Sequence, residues 1–318
     1  MRVVITDLPS SDNNVERDLL APLNAEVVRF QCRTAAEVAK AARDADALLV
    51  CWAPVPGEVI ESLSRCRIIS LYTAGYNNVD LEAATRRGIT VTNNPDYCVE
   101  EVATHALALL LAINRKLVPL VDSVRAGNWD PVGVLRPAPA LSRQTVGILG
   151  FGRIGRKLAS LVRPLAGGVQ AHDPAPPDGV EGVRFVSREK LFAEADYVSV
   201  HMPLSDATKG SIGSGLLRRM KPSAWLINTS RGAIIDEDAL LEALRSGPPA
   251  GAALDVFVTE PLPLDHPFRS MRNVLITPHA AWYSEQSEYL LKANAARAVV
   301  NYFAGKPVRS LNSVAPSD

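Results

Sequence analysis

Three segments in the last third of the chain set polar side chains just after short apolar runs. They are Asn228-Thr229-Ser230-Arg231-Gly232, Leu254-Asp255-Val256-Phe257-Val258-Thr259-Glu260-Pro261 and Thr277-Pro278-His279-Ala280-Ala281-Trp282. In an open α/β sheet the carboxyl ends of the strands face the ligand crevice. Arg231, Glu260 and His279 are therefore expected to converge. An imidazole titrates near neutrality, a carboxylate can orient it, and a guanidinium offers a planar fork to an anion. Together they suit acid–base chemistry on a small anionic substrate.

A second motif lies upstream. Gly150-Phe151-Gly152-Arg153-Ile154-Gly155 fits G-x-G-x-x-G, directly follows an apolar run at 146–149 and opens a helical pattern. That context aims helix N-terminal N–H groups at a pyrophosphate. Gly150 permits the tight turn, Gly152 lets phosphate approach, and Gly155 allows close helix packing. Asp173 follows at about the distance of 20 residues at which an acid meets the adenosine ribose. It would also repel a 2′-phosphate, so NAD is expected over NADP.

Two rounds of strand–helix alternation position these residues. Strands are expected at 3–6, 25–30, 47–51, 68–71 and 90–92, with helices at 14–21, 35–43, 58–64 and 80–86 between them. A helix with one deeply buried face begins at Val99, and a Pro- and Gly-bearing connection is expected over 126–141. The alternation restarts with strands at 145–149, 169–172, 197–200, 224–228, 251–254 and 274–276, and a long helix closes it at about 283–303. Short buried strands alternating with helices imply parallel sheets, hence two doubly wound α/β domains.

The 318 residues suit two domains, and 47% hydrophobic with 21% charged residues is a globular balance. Lys+Arg and Asp+Glu both number 34, so net charge gives no reason to expect nucleic acid or an anionic membrane as partner. Cys32, Cys51, Cys66 and Cys98 have no metal-like spacing and read as buried apolar residues in a reducing compartment. No signal peptide or membrane span is expected, which points to the cytoplasm.

Taken in order, the glycine motif, His201-Met202-Pro203-Leu204, Asn-Thr-Ser-Arg-Gly, Ala-Leu-Asp-Val, Thr-Glu-Pro and Thr-Pro-His-Ala resemble the D-isomer-specific 2-hydroxyacid dehydrogenases over nearly the whole chain. The run His279–Gln286 looks most like the C-terminal-binding-protein branch, whose members are NAD(H)-binding corepressors. The resemblance implies a flavodoxin-like substrate domain at 1–97 plus 287–318, a Rossmann-type NAD domain at 98–286, and a homodimer. It implies catalytic roles for Arg231, Glu260 and His279. Cofactor contacts are implied for Arg153, Ile154, His201, Pro203, Thr208 and Thr229 beside the three glycines and Asp173, with Asp255 on the nicotinamide side. Tyr72, Thr73, Ala74 and Gly75 match the family's substrate loop, whose N–H groups would hold the substrate carboxylate.

The implied reaction is reduction of a small 2-oxo acid to the D-2-hydroxy acid, and its reverse. Hydride addition at C2 leaves charge on oxygen that His279 can protonate. Leu71 stands where the corepressor branch has Arg, and Tyr72 is bulkier than the usual loop residue. With Trp282 these suggest an apolar wall, and so a preference for longer 2-oxo acids over glyoxylate. Two alternatives remain open at this point: an NAD(H)-sensing binding protein, and a dehydrogenase for a phosphonate-type oxyanion. The short stretch 312–318 reads as a tail, shorter than the tails of corepressor relatives.

Overall fold

The computed structural model describes residues 1–8, 10 and 12–313. They form two compact units: Met1–Cys98 together with the chain from Tyr283, and Val99–Trp282. The second seam lies four residues before the expected one. The reason is local: Ser284 caps the helix Glu285–Phe303 in a capping box with Ser287, so the whole helix belongs to the first unit.

The first unit is a parallel sheet of β1 (Arg2–Ile5), β2 (Glu26–Arg29), β3 (Ala47–Val50), β4 (Ile68–Leu71) and β5 (Thr90–Thr92), in the order β2-β1-β3-β4-β5. Every residue of β3 and β4 is buried. That matches their unbroken apolar runs, since helices cover both faces of a parallel sheet. Helix Glu285–Phe303 covers one face, where Ser70 Oγ donates to the Ala295 carbonyl at 3.0 Å.

Strand order reverses between β1 and β3, the crevice position of this topology. There Asp7, 3% exposed, accepts from the N–H groups of Cys51 (3.1 Å), Trp52 (2.7 Å) and Ala53 (3.1 Å), and from Thr6 Oγ1 at 2.8 Å. One buried carboxylate thus fixes the loop after β3. The chain end differs from expectation. Leu311 N donates to the Val91 carbonyl, and the Asn312 side chain pairs with both Val91 N and the Ile89 carbonyl. Residue 312 is therefore tied to β5, and 314–318 lie outside the described residues.

The second unit has seven parallel strands: β6 (Thr145–Leu149), β7 (Gly168–His172), β8 (Arg184–Phe185), β9 (Tyr197–Val200), β10 (Trp225–Asn228), β11 (Gly251–Leu254) and β12 (Val274–Ile276). Their order is β12-β11-β10-β9-β6-β7-β8. Read from β8, this is the doubly wound order 3-2-1-4-5-6 with one strand added. The two-residue β8 is too short for a periodic signal. Two helices, Leu117–Arg125 and Pro131–Leu135, frame or interrupt the expected connection. The first buries no residue, and the second starts on a proline capped by Asp130, so it reads as a turn.

Asp7→Ala should cost about 3 kcal/mol or more, because it strands several buried donors. Denaturant unfolding followed at the first unit checks this, and an unchanged midpoint would contradict it.

Candidate active site

Each candidate in the second unit follows the carboxyl end of a strand. After β6, Gly150 takes φ +93°, and a Cβ there would lie 2.6 Å from Met202 N, so only glycine fits. A Cβ on Gly155 would come 2.2 Å from the Gly150 carbonyl oxygen, which records how tightly helix Arg153–Val162 sits on the loop. Gly152 is the helix N-cap. It supplies no side-chain cap, and a Cβ there would meet nothing within 4 Å. Arg153 and Ile154 form the first turn, Arg153 exposed.

Asp173 follows the second strand of this motif, β7. Its Oδ2 accepts from Phe151 N at 2.7 Å and its Oδ1 from Ala175 N at 3.0 Å, binding the acid to the glycine loop. After β9, His201 Nε2 pairs with Ser199 Oγ at 2.8 Å, and burial pushes its imidazole down to about 4, so it is neutral at pH 7. Pro203 and Thr208 belong to one turn, in which Thr208 Oγ1 donates to the Pro203 carbonyl at 2.7 Å and accepts from Ser205 N at 2.8 Å. After β10, Thr229 is 7% exposed, and its Oγ1 has no hydrogen-bond partner. These residues fit a dinucleotide: a helix start without a side-chain cap for pyrophosphate, an acid for ribose, and a buried hydroxyl still lacking a partner.

Arg231 also follows β10. Its carbonyl accepts from Asn228 Nδ2 at 2.9 Å, and one guanidinium nitrogen donates to the Ser230 carbonyl at 2.7 Å. A Cβ on Gly232 would lie 2.0 Å from the Phe257 carbonyl carbon. The loops after β10 and β11 are thus in backbone contact, and Arg231 stands beside the stretch leading to Glu260. Glu260 Oε1 accepts from Phe257 N at 2.8 Å, while its Oε2 meets His279 Nδ1 at 2.6 Å. Both side chains keep about a third of their surface, 34% and 31%. Glu260 occupies Nδ1, which leaves Nε2 as the ring nitrogen able to face a substrate.

His279 sits at φ +53°, a left-handed conformation costing about 1–3 kcal/mol for a non-glycine residue. It is held there by donation from its N–H to the Asp255 carbonyl at 2.8 Å. Asp255, expected on the nicotinamide side, also makes a set of contacts with the loop after β12. It is fully buried, and its carboxylate accepts from Thr277 Oγ1 (2.5 Å), Ala280 N (2.9 Å) and Ala281 N (3.0 Å). These bonds make it an anchor of the loop that carries His279.

In the first unit Tyr72 departs from expectation. Its ring is fully buried and its hydroxyl donates to Glu16 Oε1 at 2.8 Å, so it cannot wall a ligand pocket. The two following peptides fit the anion-cradle reading better. The Thr73 carbonyl accepts from Asn94 N at 3.0 Å and the Ala74 carbonyl from Asn93 Nδ2 at 2.7 Å. In a trans peptide the N–H lies opposite the carbonyl, so the N–H groups of Ala74 and Gly75 point away from β5. Trp282 is partly exposed. Two exposed aromatics of the first unit, Trp52 (49%) and Tyr76 (40%), were not among the expected residues. Trp52 follows β3, and Asn78 Nδ2 ties the 72–78 loop to its neighbours through the Cys51 and Ala53 carbonyls. An aromatic directly after a buried strand was the available signal.

Burial is the largest influence on Glu260 and raises its pKa. The His279 hydrogen bond and charge, the Phe257 N–H and Arg231 together outweigh it, so the carboxyl stands below its ordinary 4.5. A depressed carboxylate adds stability that is present above the ordinary value and lost as pH falls through the folded one. The Tm difference between wild type and Glu260→Gln should therefore shrink as pH falls below 4.5. A difference that grows in acid would contradict this.

Comparison with known proteins shows the family and the fold. Residues 107–281 match the D-isomer specific 2-hydroxyacid dehydrogenase, NAD binding domain, family. A glyoxylate reductase of Korarchaeum cryptofilum is 39% identical over 272 residues, 83% of this chain and 81% of its own length. The crystal structure of the TT0316 protein from Thermus thermophilus superposes with a TM-score of 0.89 at 34% identity, over 98% of this chain and 100% of that one. The D-lactate dehydrogenase of Aquifex aeolicus, solved with NAD and lactic acid, gives 0.86 at 27% identity, over 95% and 96%. The two relatives whose names state an activity are enzymes, and the corepressor branch has no support from them. With a 3-2-1-4-5-6 sheet, an NAD-type glycine loop and a Glu–His pair at the strand ends, the chain belongs to the D-isomer-specific 2-hydroxyacid dehydrogenase family and is an NAD-dependent oxidoreductase.

Proposed function

We propose that this chain uses NADH to reduce a small 2-oxo acid of the glyoxylate class, with Arg231, Glu260 and His279 as catalytic residues. The observation that carries the reading is the 2.6 Å contact of Glu260 Oε2 with His279 Nδ1 beside the Arg231 loop. NADH supplies the hydride. As the substrate C2 accepts it, negative charge grows on the C2 oxygen, and His279 donates a proton to that oxygen from Nε2. Glu260 holds the ring by Nδ1 so that Nε2 stays in line. Arg231 presents its fork to the substrate carboxylate and draws electron density from the carbonyl. Within the first unit, the N–H groups of Ala74 and Gly75, in the turn that Thr73 Oγ1 closes on the Gly75 carbonyl, would suit a carboxylate.

The substrate size follows from the correction at Tyr72. With that ring buried, the aromatic wall that favoured longer acids loses its main member, and the glyoxylate reductase relative supports a short acid. Partner and setting are part of the same reading. Leu117, Val118, Val121, Val124, Trp129 and Val132 are all exposed, Trp129 at 87%. Such an apolar stretch supports a homodimer. Among the described residues no helix is long and apolar enough to cross a membrane. Four buried free cysteines support a reducing cytoplasm.

A panel of glyoxylate, hydroxypyruvate, pyruvate and a phosphono-substituted acid tests the reading. Turnover should be highest on the small carboxylates, and His279→Ala should lower kcat by about 10²–10⁴-fold while NADH binding persists. NADH binding without turnover on any acid would point to a binding protein. Preference for the phosphono acid would move the assignment to another oxyanion.

A second measurement concerns Asp173. NADH should bind far more tightly than NADPH by fluorescence titration, and Asp173→Ala should narrow the gap by removing the repulsion of a 2′-phosphate. Equal affinities in the wild type would contradict the assignment.

A further inference from the structure

Behind the loop that carries His279 lies a second histidine, on the helix Val99–Asn114. His105 Nε2 stands 3.2 Å from Thr277 Oγ1 and 3.6 Å from Asp255 Oδ1. Thr277 Oγ1 in turn stands 2.5 Å from the same Asp255 oxygen. We propose that His105 is a positioning residue, which fixes the Thr277–Ala281 loop through Thr277 and Asp255 and so sets where His279 presents its Nε2. The proposal rests on His279 being the proton donor.

Counting donors settles the direction of this chain. Asp255 already accepts from two backbone N–H groups, so its carboxylate acts as an acceptor toward Thr277 as well. A hydroxyl has one proton, and Thr277 gives it to Asp255. The Thr277 oxygen can then only accept from His105, so Nε2 of His105 carries a proton. The order is His105 to Thr277 to Asp255, and Asp255 holds the backbone on the far side of His279. Two of the loop's anchors, the Asp255 carbonyl and carboxylate, thus depend on one residue, and that residue is braced from a separate helix. The strained φ of His279 makes the brace necessary: a left-handed histidine relaxes if its anchors loosen. His105 has no contact among these with the reacting atoms, so its effect must pass through the loop.

The experiment compares His105→Leu, His105→Gln, Thr277→Val and the double variant His105→Leu/Thr277→Val. Each is assayed for kcat, KM, NADH affinity and Tm with glyoxylate as substrate. Leucine keeps bulk and removes the donor, while glutamine can offer an N–H near the place of Nε2. His105→Leu should lower kcat by about ten- to a hundredfold, the scale of a misplaced reacting group. NADH affinity and Tm should stay near wild type, and His105→Gln should recover most of the rate. The double variant should be no slower than Thr277→Val alone, because both act on one chain. Wild-type kcat in His105→Leu, a parallel loss of Tm and NADH affinity, no rescue by glutamine, or additive losses in the double variant would each overturn the proposal. If His105→Leu fails to fold, His105→Gln against Thr277→Val carries the same decision. His279→Ala separates the two levels. Turnover surviving in that variant defeats the reading of His279 itself, whereas its loss beside an unaffected His105→Leu defeats only the brace.

Discussion

The buried carboxylate of Asp255 is the constraint on which the reactive geometry depends. It stands at the end of β11 with no exposed surface, and what would be a costly buried charge is satisfied by the loop after β12. A hydroxyl and two N–H groups of that loop converge on it, and its own carbonyl receives the N–H of His279. The loop can hold a histidine in a left-handed conformation only because the surrounding bonds over-determine it. With the backbone fixed, Glu260 needs only to reach Nδ1, and its own carboxylate is pinned by Phe257 N from the same stretch of chain.

The first unit solves a similar problem in the same way. Asp7, just beyond β1, receives three consecutive N–H groups of the loop after β3. In both units an aspartate at the carboxyl end of one parallel strand fixes the loop leaving its neighbour. Parallel sheets bring such loops together at one edge, where the backbone has run out of ladder partners and must find others. A buried carboxylate supplies several acceptor positions in a small volume, more than a serine or an amide could. The loops at these strand ends are thereby held by hydrogen bonds, although they lie outside regular structure.

Much of this was legible in the sequence. The alternation of short apolar runs with helical patterns located eleven strands to within a residue or two, because a parallel strand buried on both faces cannot hide its composition. The glycine motif was equally plain, since Gly150 and Gly155 answer to steric demands that other residues cannot meet. What residue order does not carry is side-chain direction. Tyr72 and Asp255 each follow or end a buried strand, and residue order alone does not tell whether such a side chain turns inward or toward a ligand. Tyr72 turned toward Glu16, and Asp255 toward its neighbouring loop. The helix Leu117–Arg125 was missed for the opposite reason: Leu117, Val118, Val121 and Val124 are exposed within this chain, and no residue of the helix is buried.

Asp255→Asn tests the account at its centre. An asparagine keeps the shape but presents an NH₂ group where the carboxylate accepted an N–H, so one anchor of the His279 loop becomes a repulsive contact. The measurement is NADH affinity by fluorescence titration beside kcat on glyoxylate. If Asp255 anchors the loop, kcat falls at least about tenfold while NADH affinity holds. If NADH affinity collapses and the cofactor-saturated kcat is kept, the carboxylate serves the nicotinamide and Asp255 is not the anchor of the His279 loop.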